Sequence, residues 1–157
     1  MEKEIDHLDG DEPVTNQIAK SLAILLRPAS PDDHPFVVDS WVQSYRNQTI
    51  ARDAGPSYMH DMKWIVRAWM ADAAVLVACD PEEPGAIWGW AATNQNTILY
   101  CYVRQEFRRH GIARQLLAPY VDAEGPVLFA AKSSHPVKLP RHWRYSFLAA
   151  LRLLRKE

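Results

Sequence analysis

Between Val103 and Arg114 the chain reads Val-Arg-Gln-Glu-Phe-Arg-Arg-His-Gly-Ile-Ala-Arg. The run joins an apolar, strand-like segment to an amphipathic, helix-like one. Gly111 and Ala113 are small where strand gives way to helix, so backbone N–H groups there can approach a ligand closely. The first N–H groups of a helix have no intrahelical partner, and the aligned peptide dipoles add partial positive charge. Such an end suits an anion, above all a pyrophosphate. Arg108, Arg109 and Arg114 add charge and can grip phosphate in a bidentate manner. No Gly-Lys-Ser/Thr follows, so this is not a P-loop, and Gly-x-Gly-x-x-Gly is absent. The competing explanation is a turn with Gly for geometry and Arg for solubility.

Other residues capable of chemistry form no such pattern. His34, His60, His110, His135 and His142 lack metal-ligand spacing, so no metal is expected. Cys79 and Cys101 are too few for a disulfide framework or a four-Cys zinc site. Both lie in apolar runs, where a buried thiol is the expectation. Cys101 would need a partnered base to act as a nucleophile, and none is identifiable.

The elements that must position the loop follow from periodicity. Leu22–Pro28 is short, apolar and stopped by proline, so it reads as a strand. Ser30-Pro31-Asp32-Asp33 is a helix start, with Ser30 as N-cap and Asp33 at the capping-box position. Val37, Val38, Trp41, Val42 and Tyr45 then recur at helical spacing. Residues 52–57 break the pattern. A second helix is expected over Tyr58–Met70, with Met62, Ile65, Val66 and Trp69 on one stripe. Ala74–Cys79, Ala86–Thr93 and Thr97–Val103 read as strands separated by turn residues. In the last of these, Tyr100 and Tyr102 share one face and Cys101 the other. Ile112, Leu116, Leu117 and Tyr120 restore helical spacing, which Pro119 should end or kink near Ala118. Val127–Ala131 is a fifth strand. Residues 133–157 are the hardest to place, though 147–154 are apolar nearly all round. The order β-α-α-β-β-β-α-β excludes simple βαβ alternation and predicts a mixed sheet flanked by helices.

The 157 residues fit one domain. A hydrophobic share of 48% with six Trp, six Tyr and four Phe supports a sizeable core. The formal net charge of −1 hides an asymmetry. Residues 1–20 carry two lysines against six acids, which predicts a solvated, disordered extension. The last 26 residues carry seven bases against Glu157, which suits a solvated helix face or an acidic partner. The charge is too local, and motifs too few, for a nucleic-acid-binding protein. No run approaches the ~20 apolar residues of a membrane span, and the acidic N-terminus does not read as a signal peptide. A cytoplasmic location is expected.

The pattern Val-x4-Arg-x-x-Gly-x-Ala after the fourth predicted strand resembles the acetyl-coenzyme-A loop (Arg/Gln-x-x-Gly-x-Gly/Ala) of the GNAT family of N-acetyltransferases. The preceding β-α-α-β-β-β order and the opening Leu-Arg-Pro-Ala-Ser-Pro-Asp-Asp resemble that family too, over residues 22–131. Ser40–Arg46 and Pro140–Phe147 look like small GNAT-like proteins encoded by bacteriophages, whose location would be the host cytoplasm. The resemblance implies a GNAT-like acyl-CoA acyltransferase domain over 21–157, of α/β type with a mixed sheet and a shortened C-terminal part. It implies that the fourth and fifth strands splay and that pantetheine pairs with backbone at Cys101 and Val103. An N–H near Cys101 would polarise the thioester carbonyl. The pyrophosphate would receive the amides of Arg109, His110, Gly111, Ile112, Ala113 and Arg114. The implied reaction is direct attack of an amine, of a small molecule or a protein, on acetyl-CoA. Glu106 as base and Tyr145 as acid are the candidates; core or surface roles compete for both. The alternative is a non-catalytic GNAT-fold binding or assembly module that still binds CoA. The apolar segment 147–157 would then meet a protein partner or a second copy.

Overall fold

In the computed structural model, residues 22–46, 48–132 and 138–155 are described. One six-stranded mixed sheet runs in the order β1 (Leu25–Pro28), β2 (Ala74–Cys79), β3 (Ile87–Asn94), β4 (Thr97–Val103), β5 (Val127–Phe129) and β6 (Trp143–Tyr145). β1 to β4 are antiparallel neighbours, and β4–β5 and β5–β6 are parallel. α1 (His34–Tyr45), α2 (Thr49–Ala54) and α3 (Tyr58–Asp72) connect β1 to β2. α4 (Ile112–Leu116) and α5 (Ala118–Val121) connect β4 to β5, and α6 (Phe147–Arg152) follows β6. This is the mixed, helix-flanked sheet that the GNAT resemblance implies.

Each face of the sheet carries its own core. On one side Val37, Trp41 and Val42 of α1 meet Val66 and Trp69 of α3 over Val77, Trp90, Ala92 and Leu99. Trp41 is at its centre, with ring centroids 5.6 Å from Trp69, 5.2 Å from Trp90 and 5.7 Å from Tyr100. On the other side Ile112, Leu116 and Leu117 cover Ala78, Trp88, Ala91 and Ile98. Burying side chains of this size stabilises by roughly 1.5–3 kcal/mol each, so the two cores fix the sheet between its helices.

The helix start expected at Ser30 is a capped 3-10 turn over Pro31–Asp33 that runs into α1 at His34: the Ser30 N–H donates to the Asp33 carboxylate at 2.7 Å. Asp33 also takes Arg27 in a two-pronged ion pair, at 2.6 and 3.1 Å. Arg27 reaches on to the Pro84 carbonyl at 2.8 Å. The group therefore clamps β1, the entry to α1 and the turn before β3.

Several boundaries differ from the sequence reading. The first strand begins at Leu25, not Leu22, because its partner β2 ends at Cys79 opposite Leu25. The break at 52–57 contains the last turn of α2 and a 3-10 turn over Gly55–Ser57. The third helix splits at Leu117, as Pro119 requires. The C-terminal part holds a strand that the apolar pattern did not reveal. β6 forms because β5 offers it an unpaired edge, and the Ser146 N–H donates to the Phe129 carbonyl at 2.9 Å. α6 is seated inward by Ala149 and Ala150, and the Trp69 indole N–H donates to the Ala150 carbonyl at 2.9 Å. Leu148 points outward, 63% exposed. Among the described residues no helix is long and apolar enough to cross a membrane.

Candidate functional site

Among the described residues β4 is paired on both sides only at its beginning. Thr97 and Ile98 lie opposite Leu128 and Phe129, and Ala130 donates to the Ile98 carbonyl at 2.9 Å. Beyond Ile98 the pairing with β5 stops, while β4 continues along β3 to Val103. The sheet therefore opens between β4 and β5. A bulge at Leu99, where the register shifts against Ala92 and Thr93, decides which groups face this opening. Leu99 and Tyr100 both join the core under α1, and Cys101 returns to the opposite face. The Arg104 N–H donates to the Trp88 carbonyl at 2.9 Å. Alternation along an antiparallel pair then turns Tyr102 and Tyr100 toward β3, and Cys101 and Val103 toward the opening. The residues expected to present backbone to a pantetheine arm are those the register turns outward.

At the end of β4 the chain makes a 3-10 turn over Gln105–Phe107, then two residues adopt left-handed backbone, Arg109 at φ 66° and Gly111 at φ 78°. For Arg109 this conformation costs of order 1 kcal/mol, strain of a kind that concentrates at working sites. Gly111 is followed directly by helical Ile112, an alternation that turns adjacent N–H groups to one side. The first amide of the helix to find an upstream carbonyl is that of Gln115, bonded to Gly111 at 3.1 Å. The amides of residues 109–114 have no acceptor among the described residues. Arg109, His110, Gly111, Ala113 and Arg114 are exposed, whereas Ile112 is buried and anchors the turn. A Cβ placed on Gly111 meets no atom within 4 Å, so its backbone borders open space. The Arg108 Nε donates to the Val103 carbonyl at 3.0 Å, folding that side chain back over the strand end.

The remaining candidates separate. Cys101 is partly buried, and desolvation pushes its thiol up to about 12, which leaves it protonated near neutrality. Tyr45 and Tyr100, 5.5 Å apart edge to face, are likewise raised by burial. Tyr145 is opposite Phe129, the last β5 residue paired to β4, so it stands at the level where the opening begins. It is 46% exposed, its ring 5.6 Å from Phe129 and covered by the Lys132 ammonium at 4.6 Å. Glu106 is exposed in the turn and paired with Arg104 at 2.9 Å. Among the described residues no cluster of three His, Cys, Asp or Glu side chains could hold a metal. The sequence reading passed over Gly89, although an isolated glycine inside a strand is a signal of a bulge or a close approach.

No family model matches the chain, and no curated protein sequence does. Solved structures do resemble it in fold. Apo YjaB from Escherichia coli superimposes with a TM-score of 0.48 at 16% identity, over 64% of this chain and 65% of that one. A structure described as histone acetyltransferase HPA2 and related acetyltransferase, from Corynebacterium glutamicum, gives 0.47 at 18%, over 62% and 69%. YncA from Salmonella typhimurium, solved with its cofactor acetyl-CoA, gives 0.43 at 18%, over 64% and 62%. The chain thus spans about two thirds of the length of these proteins, and the likeness is one of fold.

Proposed function

We propose that the protein is an N-acetyltransferase of GNAT type that moves an acetyl group from acetyl-CoA to an amine. The observation that carries this reading is the row of amides at residues 109–114, unpartnered among the described residues, beside an opening in the sheet. A diphosphate has the charge and the acceptor oxygens such a row can satisfy, and Arg109 and Arg114 flank it. A pantetheine arm has amides that can pair with Cys101 and Val103. In the reaction the acceptor nitrogen bonds to the acetyl carbon and the carbon–sulfur bond breaks. The amine gives up a proton and the departing thiolate takes one. Tyr145 is the proton donor in this reading, because it packs on Phe129, at the level where the opening begins and on the face that carries Cys101, one strand beyond β5. An N–H near Cys101 would stabilise the oxyanion. Glu106 would take the amine's proton through water, since its carboxylate is turned to Arg104.

The test is calorimetry with acetyl-CoA on the full chain. Binding is expected for the native sequence and its loss in Gly111→Glu, where a carboxylate would stand among the amides. Gly111→Ala separates strain from charge: the left-handed backbone costs it about 1 kcal/mol, but space is open there, so weakened binding should remain. Absence of binding by the native chain at high micromolar ligand, or undiminished binding by Gly111→Glu, would refute the assignment. The ion pair that occupies Glu106 favours a second reading, a coenzyme-binding module without turnover. Binding without thioester cleavage across a broad panel of amines would establish it.

A further inference from the structure

The loop rests on a bulge in β3. β2 pairs Ala78 with Gly89 but Cys79 with Ile87, so Trp88 is an extra residue. Such a bulge turns two consecutive residues to one face. Trp88 is buried in the core under α4, and a Cβ on Gly89 would point the same way, 3.3 Å from the Ile112 Cγ2. Three parts of the loop come down on these two residues. The Arg104 N–H bonds the Trp88 carbonyl. The Phe107 ring stacks on the Trp88 indole, 4.8 Å between centroids and 20° between planes. Ile112, the residue after Gly111, lies over Gly89.

Gly89 also meets backbone. A Cβ there would fall 2.7 Å from the Tyr102 carbonyl oxygen and 3.3 Å from the Val103 Cα. Real side chains do not come that near, and a strand held between neighbours yields only by shifting. The Tyr102 carbonyl and the Val103 N–H belong to one peptide, which is planar and stiff. Its oxygen faces β3 and its N–H faces the opening, so a push on the oxygen re-aims the N–H.

We propose that Gly89 is a positioning residue: its missing side chain seats both the Tyr102–Val103 peptide and the first turn of α4. It thereby holds the two halves of the coenzyme site in mutual register. The inference rests on the acetyl-CoA reading of that site.

The experiment compares acetyl-CoA affinity and thermal midpoint in the full chain for native protein, Gly89→Ala and Ala91→Gly. Ala91 is the control, on the same strand and in the same core, 1% exposed. Gly89→Ala should weaken binding by about tenfold or more, since displacements near 1 Å are costly in preorganised sites. The amide resonances of Val103 and Ile112 should move with it. Ala91→Gly should lower the midpoint while keeping native affinity. Affinity of Gly89→Ala within about twofold of native, or equal weakening in Ala91→Gly, overturns the proposal. Should Gly89→Ala not fold, Ile112→Ala and Leu116→Ala replace it; both side chains are 2% exposed on α4. The first should weaken binding more than the second, and equal effects overturn the proposal. Native protein that binds no acetyl-CoA refutes the site itself, whereas native binding with an indifferent Gly89→Ala refutes only the role of Gly89.

Discussion

The two ends of β4 are built from similar residues and do different things. At Thr97–Ile98 the strand is paired on both sides, and Ile98 and Leu99 are 4% and 1% exposed. At Cys101–Val103 one edge is open and the side chains are only partly buried. An open edge is normally a hazard, since it templates pairing with another chain. Here α1 packs on one face of β4 and α4 on the other, which narrows the approach of another chain to that edge. The bulge at Leu99 separates the two regimes. It spends one residue to face core, after which the outward peptides belong to odd-numbered positions. A sheet that simply frayed would need no such device.

Substitutions at the two ends of β4 should have different consequences. The largest effect is expected at the open end: Tyr145→Phe should lower turnover by about a hundredfold, the low end for a lost proton donor. Its acetyl-CoA affinity should be native, because the ring and its packing on Phe129 remain. Steady-state rates with calorimetry check this, and unchanged turnover removes Tyr145 from the chemistry. At the closed end Leu99→Ala should cost about 2–5 kcal/mol of stability through the cavity it leaves. Denaturant titration measures it. If Val103→Ala cost as much, the division of β4 into a packed and an open half would be wrong.

Most of the sheet was legible because apolar runs of strand length separated by turn residues leave little choice. The loop was legible because Gly111 and Pro119 punctuate at the two places where the backbone changes course. The faces of β4 followed from alternation at Tyr100, Cys101 and Tyr102. What escaped lies where tertiary context outweighs local pattern. Trp143-Arg-Tyr145 is three residues with no period of its own, and it becomes a strand only against Phe129. α2 is too short for periodicity to distinguish it from a break. The bulge at Leu99 has no composition signal, and that at Trp88 has only the isolated Gly89 beside it, yet the first decides which peptides face the opening.

A smaller contrast concerns pH. The clamp at the far edge of the sheet is an acid-side device. Arg27, with the Ser30 N–H and hydroxyl, holds Asp33 down to about 2 from an ordinary 3.8. Its contribution is therefore present above 3.8 and is lost as pH falls toward 2, at most about 2 kcal/mol by linkage. Acid unfolding of Asp33→Asn should show a flatter dependence over that window. A slope equal to native would mean the carboxylate is not the group responsible.

The opening is sensitive on the opposite side. Folding raises the Cys101 thiol from 9.0 to about 12 by desolvation. The folded state holds its proton where the unfolded chain has released it. That contribution is full below pH 9.0 and declines as pH rises toward 12. Tyr45 and Tyr100, also raised by burial, titrate in the same direction. Cys101→Ala should make the alkaline decline shallower, and at neutral pH it should lose about 1 kcal/mol or less, since a half-buried small thiol contributes little packing. Turnover should be native, because a protonated thiol is no nucleophile and the backbone N–H remains. A disulfide-exchange probe should leave Cys101 unmodified at pH 8 until the chain unfolds. Rapid modification of native protein, with turnover lost in Cys101→Ala, would make the opening a site of covalent transfer and reverse the mechanism argued for it.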